Sequence, residues 1–155
     1  YWISVIYLNF AEAKAEMGSL TQDDLNNSIN KLQARAGLPA MTTTPDADPA
    51  NNMGVSNLIW EIRRCRRCEL IMDNWYRYWD LIRWHQLDKL DSTKYPNTML
   101  GANVSNVPDC EEATKNGYID ASDAQIRTYE AKHYFYPIPT TQLTLNKNMK
   151  QNPGW

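Results

Sequence analysis

The sequence predicts a mainly α protein, built from tetratricopeptide-like helical hairpins joined by long irregular loops. Three observations predict it. Apolar residues recur at helical spacing through residues 1–16 and again through 25–36. The stretch from Leu58 to Trp84 contains neither proline nor glycine. Residues 38–57 and 92–133 are instead rich in Pro, Gly, Asn and Asp and carry no clear period. The chain therefore reads as a single α-helical region, 1–155, expected to be a piece of a larger domain. Its parts are a helical hairpin (1–37), a loop (38–57), a central helical pair (58–91), a long loop region (92–133) and a C-terminal docking segment (134–155).

The first helix is expected over Tyr1 to Glu16. Ile6, Phe10, Ala13 and Met17 follow the period, as do Tyr7, Ala11 and Ala15, and Gly18 closes it. Thr21 with Asp24 three residues on is a capping signal. Leu25, Ile29, Leu32 and Ala36 then carry one continuous second helix to the stop at Gly37 and Pro39. Two such helices with a three-residue connection make an antiparallel hairpin. In the following loop Asp46 and Asp48 are read as turn formers and not as calcium ligands.

In the central stretch, strong helix formers predict a helix from Leu58 to about Met72. Asp73-Asn74 interrupts it, and a second helix is expected from Trp75 to His85, extended by Gln86 to Asp91. Trp75, Tyr78, Trp79 and Ile82, with Leu81, form its apolar stripe. Arg77, Asp80 and Arg83 stand at helical spacing for ion pairs and are expected to be buried with them. The six arginines of this stretch do not make a nucleic-acid site: acids are interleaved with them and the chain's formal net charge is −2.

Beyond it, Asn116-Gly117 predicts a tight hairpin turn, and Ser122 to Ala131 a short helix capped by Ser122. Pro137 and Pro139 hold the Tyr134-Phe135-Tyr136 run extended, Thr140 or Thr141 caps a short turn, and Pro153-Gly154-Trp155 suggests an end tied down by a buried aromatic.

The motifs of this chain carry a family resemblance. Arg66-Arg67-Cys68-Glu69-Leu70 followed by Arg77-Tyr78-Trp79-Asp80-Leu81-Ile82-Arg83-Trp84 resembles the central signature of SusD/RagB proteins. Ile29 to Pro39, with Ala34-Arg35-Ala36-Gly37-Leu38, resembles a second family segment. Tyr136-Pro137-Ile138-Pro139, Asn146 and Gln151-Asn152-Pro153-Gly154-Trp155 resemble the family's ending. Cys65 stands where the family usually has Glu, and Asp73-Asn74 replaces Glu-Gly. Arg66, Arg67, Glu69, Arg77, Asp80, Arg83 and Trp84 are thus read as structural motif residues. The resemblance implies the C-terminal portion of a lipid-anchored, surface-exposed outer-membrane protein. Such proteins bind glycans, or peptides in the RagB-like variants, for import through a SusC-like TonB-dependent transporter. The opening Tyr1-Trp2-Ile3-Ser4-Val5, already apolar and without Met or signal peptide, agrees with a chain cut from a longer one, the lipid anchor lying elsewhere.

No catalytic constellation stands out. His85 and His133 lie near no recognisable nucleophile, and the acid pairs Glu111/Glu112 and Asp120/Asp123 sit in polar loop. Cys65, Cys68 and Cys110 are read as small buried hydrophobes and not as a metal site, and no cofactor is expected. The chain has six Trp and nine Tyr against two Phe, an excess of rings that carry a polar tip. The expected ligand-binding residues are Tyr95, Asn97 and Tyr118 in the long loop, which also holds Asn103, Asn106 and Tyr129. The competing reading is a helical scaffold that docks a protein and has no ligand of its own; there these tyrosines are packing surface. Loop aromatics lining one concave surface favour the binder; scattered or buried, they favour the scaffold.

Overall fold

The computed structural model describes residues 2–72, 76–108, 114–120 and 125–155. They form a mainly α structure that divides into two compact units, Tyr1–Arg77 and Tyr78–Trp155.

The first unit holds α1 (Ile3–Glu16), α2 (Gln22–Asn26), α3 (Ile29–Arg35) and α4 (Asn57–Glu69). Its core gathers Val5, Leu8 and Ala11 of α1 with Leu25, Ile29, Leu32, Met41, Ile62 and Leu70. Leu8, Leu25, Ile29 and Ile62 are fully buried, each worth about 1.5–3 kcal/mol of transfer free energy. The inward face of α1 is the one through Val5, Leu8, Ala11 and Glu12; Ile3, Ile6, Phe10 and Met17, at equally good helical spacing, are exposed. Glu12 is buried because Arg63 of α4 meets it at 3.1 Å while also reaching Glu16 at 3.0 Å.

The hairpin's second half is not one helix. Thr21 and Asp24 form the expected capping box, but the helix breaks at Asn27–Ser28. There the Ser28 hydroxyl donates to the Asp24 carbonyl (2.6 Å) and the Asn27 amide to the Asp23 carbonyl (3.0 Å). Two short polar side chains that compete for helix carbonyls outweigh the apolar period. Past Gly37, which adopts φ 69°, the loop is fastened from within. Met41 exchanges two hydrogen bonds with the buried Asn30 side chain (2.7 and 3.1 Å). Asp48 accepts from the Trp60 indole (2.9 Å) and the Ala50 amide (2.8 Å). Asp48 is therefore an aspartate of a turn, as its neighbours suggest.

Ser56 caps α4, which stops at Glu69 and not near Met72. Asp73, Asn74 and Trp75 lie outside the described residues, so the expected break and the Trp75 end of the stripe are not placed. α5 spans Tyr76–Arg83, and its residues from Tyr78 onward belong to the second unit. Its buried face is Asp80 and Leu81, with Trp84 a turn on. Trp79, expected in the apolar stripe, is 55% exposed: successive residues turn by about 100°, and a face centred on Asp80, Leu81 and Trp84 points Trp79 away. The helix does not continue to Asp91. His85 has φ 52°, and a 3₁₀ turn, Leu87–Leu90, follows.

The long loop region is more ordered than its composition suggests. A 3₁₀ turn, Pro96–Met99, leads into β1 (Leu100–Asn103), which pairs antiparallel with β3 (Tyr118–Asp120). β2 (Thr114–Lys115) pairs with the other edge of β3 through the predicted Asn116-Gly117 turn. Gly101 allows β1 to lie this close, since a Cβ there would stand 2.9 Å from the Ile119 carbonyl oxygen. Residues 121–124 lie outside the described residues, Ser122 among them. Gln125 to Glu130 is not helical; only a 3₁₀ turn, Ala131–Tyr134, follows. α6 (Thr140–Leu145) is preceded by Pro139 at the N-cap and has no side-chain cap bond from either threonine.

Candidate functional site

Within the second unit the aromatic residues gather around a cleft of about 400 Å³. Its lining runs from Tyr78 on α5 and Leu87 and Leu90 of the 3₁₀ turn to Arg127, Tyr129 and His133, and ends on Phe135, Tyr136 and Trp155. Three chain segments build it, and each is pinned by a different device.

The first device is Asp91. Its carboxylate, 4% exposed, accepts from the Thr93 hydroxyl (2.5 Å), the Thr93 amide (2.9 Å) and the Tyr129 amide (3.1 Å). The hydrogen bond from the Thr93 side chain, then that from the Tyr129 backbone, hold its pKa down at about 2. Beside it Ser92 and Arg127 bridge their backbones: Ser92 N–H donates to the Arg127 carbonyl (2.9 Å) and Arg127 N–H to the Ser92 hydroxyl (3.0 Å). Residues 127–129 are thereby laid along the 91–93 turn.

The second device is the Gln151 side chain. Its amide accepts from Ile138 N–H (2.8 Å) and donates to the Ile138 carbonyl (2.9 Å), while Asn152 donates to the Tyr136 carbonyl (2.7 Å). Pro137 and Pro139 have no N–H to offer a strand partner. Side-chain amides take the partner's place and present Phe135 and Tyr136 outward, 59% and 68% exposed.

The third is Trp155. Its indole N–H is shared between the carbonyls of Phe135 (2.9 Å) and Lys132 (3.2 Å), and its ring meets His133 edge-on at 5.8 Å. The end is tied down as expected, but the ring is 47% exposed instead of buried. Trp155 is a fixed wall.

The phenols complete the site. Tyr78 and Tyr136 hydroxyls lie 3.4 Å apart, and this hydrogen bond raises the Tyr78 pKa. Tyr129 packs edge-on to Tyr134 at 5.8 Å, and its pKa is pushed up to about 12, first by burial and then by its hydrogen bond to Tyr134. The Tyr78 and Tyr129 hydroxyls stay protonated near neutrality and serve as neutral donors and acceptors. Flat apolar faces with a few fixed polar groups can hold a ligand that is apolar on its face and polar at its edge, as a sugar ring is.

The predicted ligand residues lie elsewhere in the unit. Tyr95 is half-buried, with the Lys89 ammonium 5.0 Å from its ring centre. Asn97 is exposed on the next turn. Tyr118 sits on β3 opposite Asn103. None of the three lines the cleft; of the loop tyrosines only Tyr129 does. The sequence reading missed Tyr78, Phe135, Tyr136 and Trp155 as a group, having assigned them to helix stripe, extended run and buried terminus. One signal that could have found them is the pair of prolines, which fixes an aromatic run extended where its rings cannot all turn inward.

The motif residues act as framework. Arg66 is buried, donates to Asn9 (2.8 Å) and lies over the Tyr76 ring. Glu69 pairs with Arg35 at 2.6 Å, and Arg67 is exposed. Arg83 meets buried Asp80 at 2.9 Å and covers the Trp84 ring, but its side chain is 42% exposed, and Arg77 is half-buried. Asp80 is thus buried as expected, whereas Arg83 is not: a long side chain lays its stem on Trp84 and leaves part of its guanidinium in water. Cys65 and Cys68 are free thiols, but Cys65 is half-buried and Cys68 exposed instead of buried as expected, because the inward face of α4 is the one through Ile62 and Arg66; Cys110, Glu111, Glu112 and Asp123 lie outside the described residues. Among the described residues no three metal-ligating side chains come together, and no helix is long and apolar enough to cross a membrane.

The chain belongs to the SusD family, which it matches over residues 3–155. No curated protein matches it significantly. Among solved structures it is similar to the selenomethionine form of BT4246, a SusD-like Bacteroides protein, with 28% identity and a TM-score of 0.62. That match covers 98% of this chain and 24% of the other. A second structure of BT4246 gives a TM-score of 0.62 at 24% identity, which speaks for the fold alone, over 98% of this chain and 23% of that one. The chain thus spans about a quarter of the length of the structures it resembles.

Proposed function

We propose that the intact protein captures glycans at the bacterial cell surface, without catalysis, and passes them to a SusC-like TonB-dependent transporter. It would be held on the outer membrane by a lipid anchor outside this chain. Membership of the SusD family supports the general role in nutrient uptake. The observation that carries a ligand site in this chain is the cleft, where the half-exposed Phe135, Tyr136 and Trp155 stand beside the paired Tyr78 and Tyr136 hydroxyls. A sugar ring stacks on such faces and exchanges hydrogen bonds with the phenols. Affinity is modest, because an open platform buries little area and polar hydroxyls cost desolvation.

The test is a glycan array probed with the intact protein, followed by chromatography of bound oligosaccharide after long incubation. The proposal expects retention of a defined glycan class, recovered uncleaved. Recovery of shortened products contradicts the non-catalytic role, and retention of no glycan contradicts the binding role. Tyr95→Ala and Tyr118→Ala belong in the same panel. A loss at either equal to that at Tyr136→Ala moves the site to the long loop with Asn97.

A further inference from the structure

We infer that the cleft selects sugars that carry negative charge, a uronate carboxylate or a sulfate. This inference rests on the glycan-binding reading above and names its substrate class. The side-chain charge at the cleft is one-sided. Among its described lining residues Arg127 is a fixed cation, His133 is an imidazole, and no Asp or Glu is present.

The described acids adjacent in sequence to the lining are Asp91, Glu130 and Asp88. Asp91 lies behind the lining with its oxygens taken by Thr93 and Tyr129. Glu130 pairs with Lys132 at 3.3 Å. Asp88 raises the Tyr129 pKa electrostatically and is not among the lining residues. Among the described residues Arg127 makes no ion pair within 4 Å, and it is an exposed residue of the lining.

Position matters as much as charge. The Arg127 backbone is fixed at both its N–H and its carbonyl by Ser92, so the guanidinium starts from a set point on the rim. The aromatic floor positions the sugar ring, and the guanidinium's planar fork matches a carboxylate or sulfate edge. His133 adds a second donor. Its Nδ1 accepts the Glu130 N–H at 2.9 Å, which leaves the ring proton on Nε2. Neutral sugars engage the same floor but gain nothing from the cation.

The experiment is calorimetry on the intact protein with matched pairs. One pair is an oligogalacturonide and its carboxyl-reduced neutral counterpart; the other is a sulfated glycosaminoglycan oligosaccharide and its desulfated form. The expected result is binding about tenfold or more tighter for the charged member of one pair, the size of one charge-assisted hydrogen bond. Which pair shows it distinguishes carboxylate from sulfate. Arg127→Gln should abolish the preference, the charged member falling to the affinity of its neutral counterpart, and Arg127→Lys should restore part of it. Equal affinity within both pairs overturns the inference and leaves glycan capture standing. A preference that survives in Arg127→Gln also overturns it, by placing the selecting charge elsewhere. If no oligosaccharide binds, charged or neutral, and the array is blank as well, the underlying glycan reading fails with it.

Discussion

Asp91 is the residue on which the cleft depends most directly, although it touches no ligand. Its carboxylate holds Thr93 and the Tyr129 amide together, and its pKa of about 2 lies below the ordinary aspartate value of 3.8. A depressed folded-state pKa places the stabilisation above the unfolded value: it is complete above about pH 4 and lost as pH falls through about 2. Asp91→Asn should therefore free residues 127–129 at neutral pH, as wild type does only in strong acid. Faster amide exchange at Tyr129 in the variant, read by NMR, checks this; unchanged protection contradicts it. Asp80 makes a second case at this scale. Its partner Arg83 is partly in water, so Asp80→Ala leaves a cation that solvent can accept. The cost should be about 1–2 kcal/mol, and not the 3–5 kcal/mol of a fully buried broken pair. A denaturant titration separates the two. The cysteines give a third. Burial, and then the nearby Glu69 charge, push the Cys65 thiol up to about 11, whereas Cys68 is exposed. Iodoacetamide at mildly alkaline pH should label Cys68 and spare Cys65, as mass spectrometry will read, because the thiolate is the reactive form.

At the scale of elements, helix ends were legible in the sequence and helix continuity was not. The Thr21–Asp24 capping box, Gly18 after α1 and the Asn116-Gly117 turn stand where local chemistry puts them. Thr21→Ala should cost about 1 kcal/mol, measurable by thermal or chemical unfolding, since it orphans the Asp24 amide in the first turn of α2. The break at Asn27–Ser28 and the left-handed His85 were hidden because apolar spacing carries on across both. The period shows which residues can face inward together, and it is blind to a serine that takes a carbonyl from the helix. The face of α1 was open for a related reason. The stripes Ile6–Phe10–Met17 and Tyr7–Ala11–Ala15 have the same spacing, and packing against α3 and α4 favours the side of Ala11, with Tyr7 and Ala15 against the core. The cleft was the least legible part. Tyr78, Tyr129, Tyr136 and Trp155 come from segments far apart in sequence, joined by side-chain amides and a carboxylate that no periodicity reports.

For the whole molecule, the family motifs do structural work: Arg66, Glu69 and Asp80 are engaged with partners inside their units, and Gln151 and Asn152 clamp the segment that displays Phe135 and Tyr136. The same ending that marks the family therefore fixes the ligand face proposed here. The central claim is that this aromatic face, held by that ending, takes the glycan. The most direct measurement is isothermal calorimetry of the intact protein with an array-selected oligosaccharide, comparing wild type with Tyr136→Ala at matched folding. The account predicts a loss of about tenfold or more in affinity, equivalent to about 1.4 kcal/mol, with an unchanged melting temperature, because Tyr136 is mostly exposed. Wild-type affinity in Tyr136→Ala would contradict it.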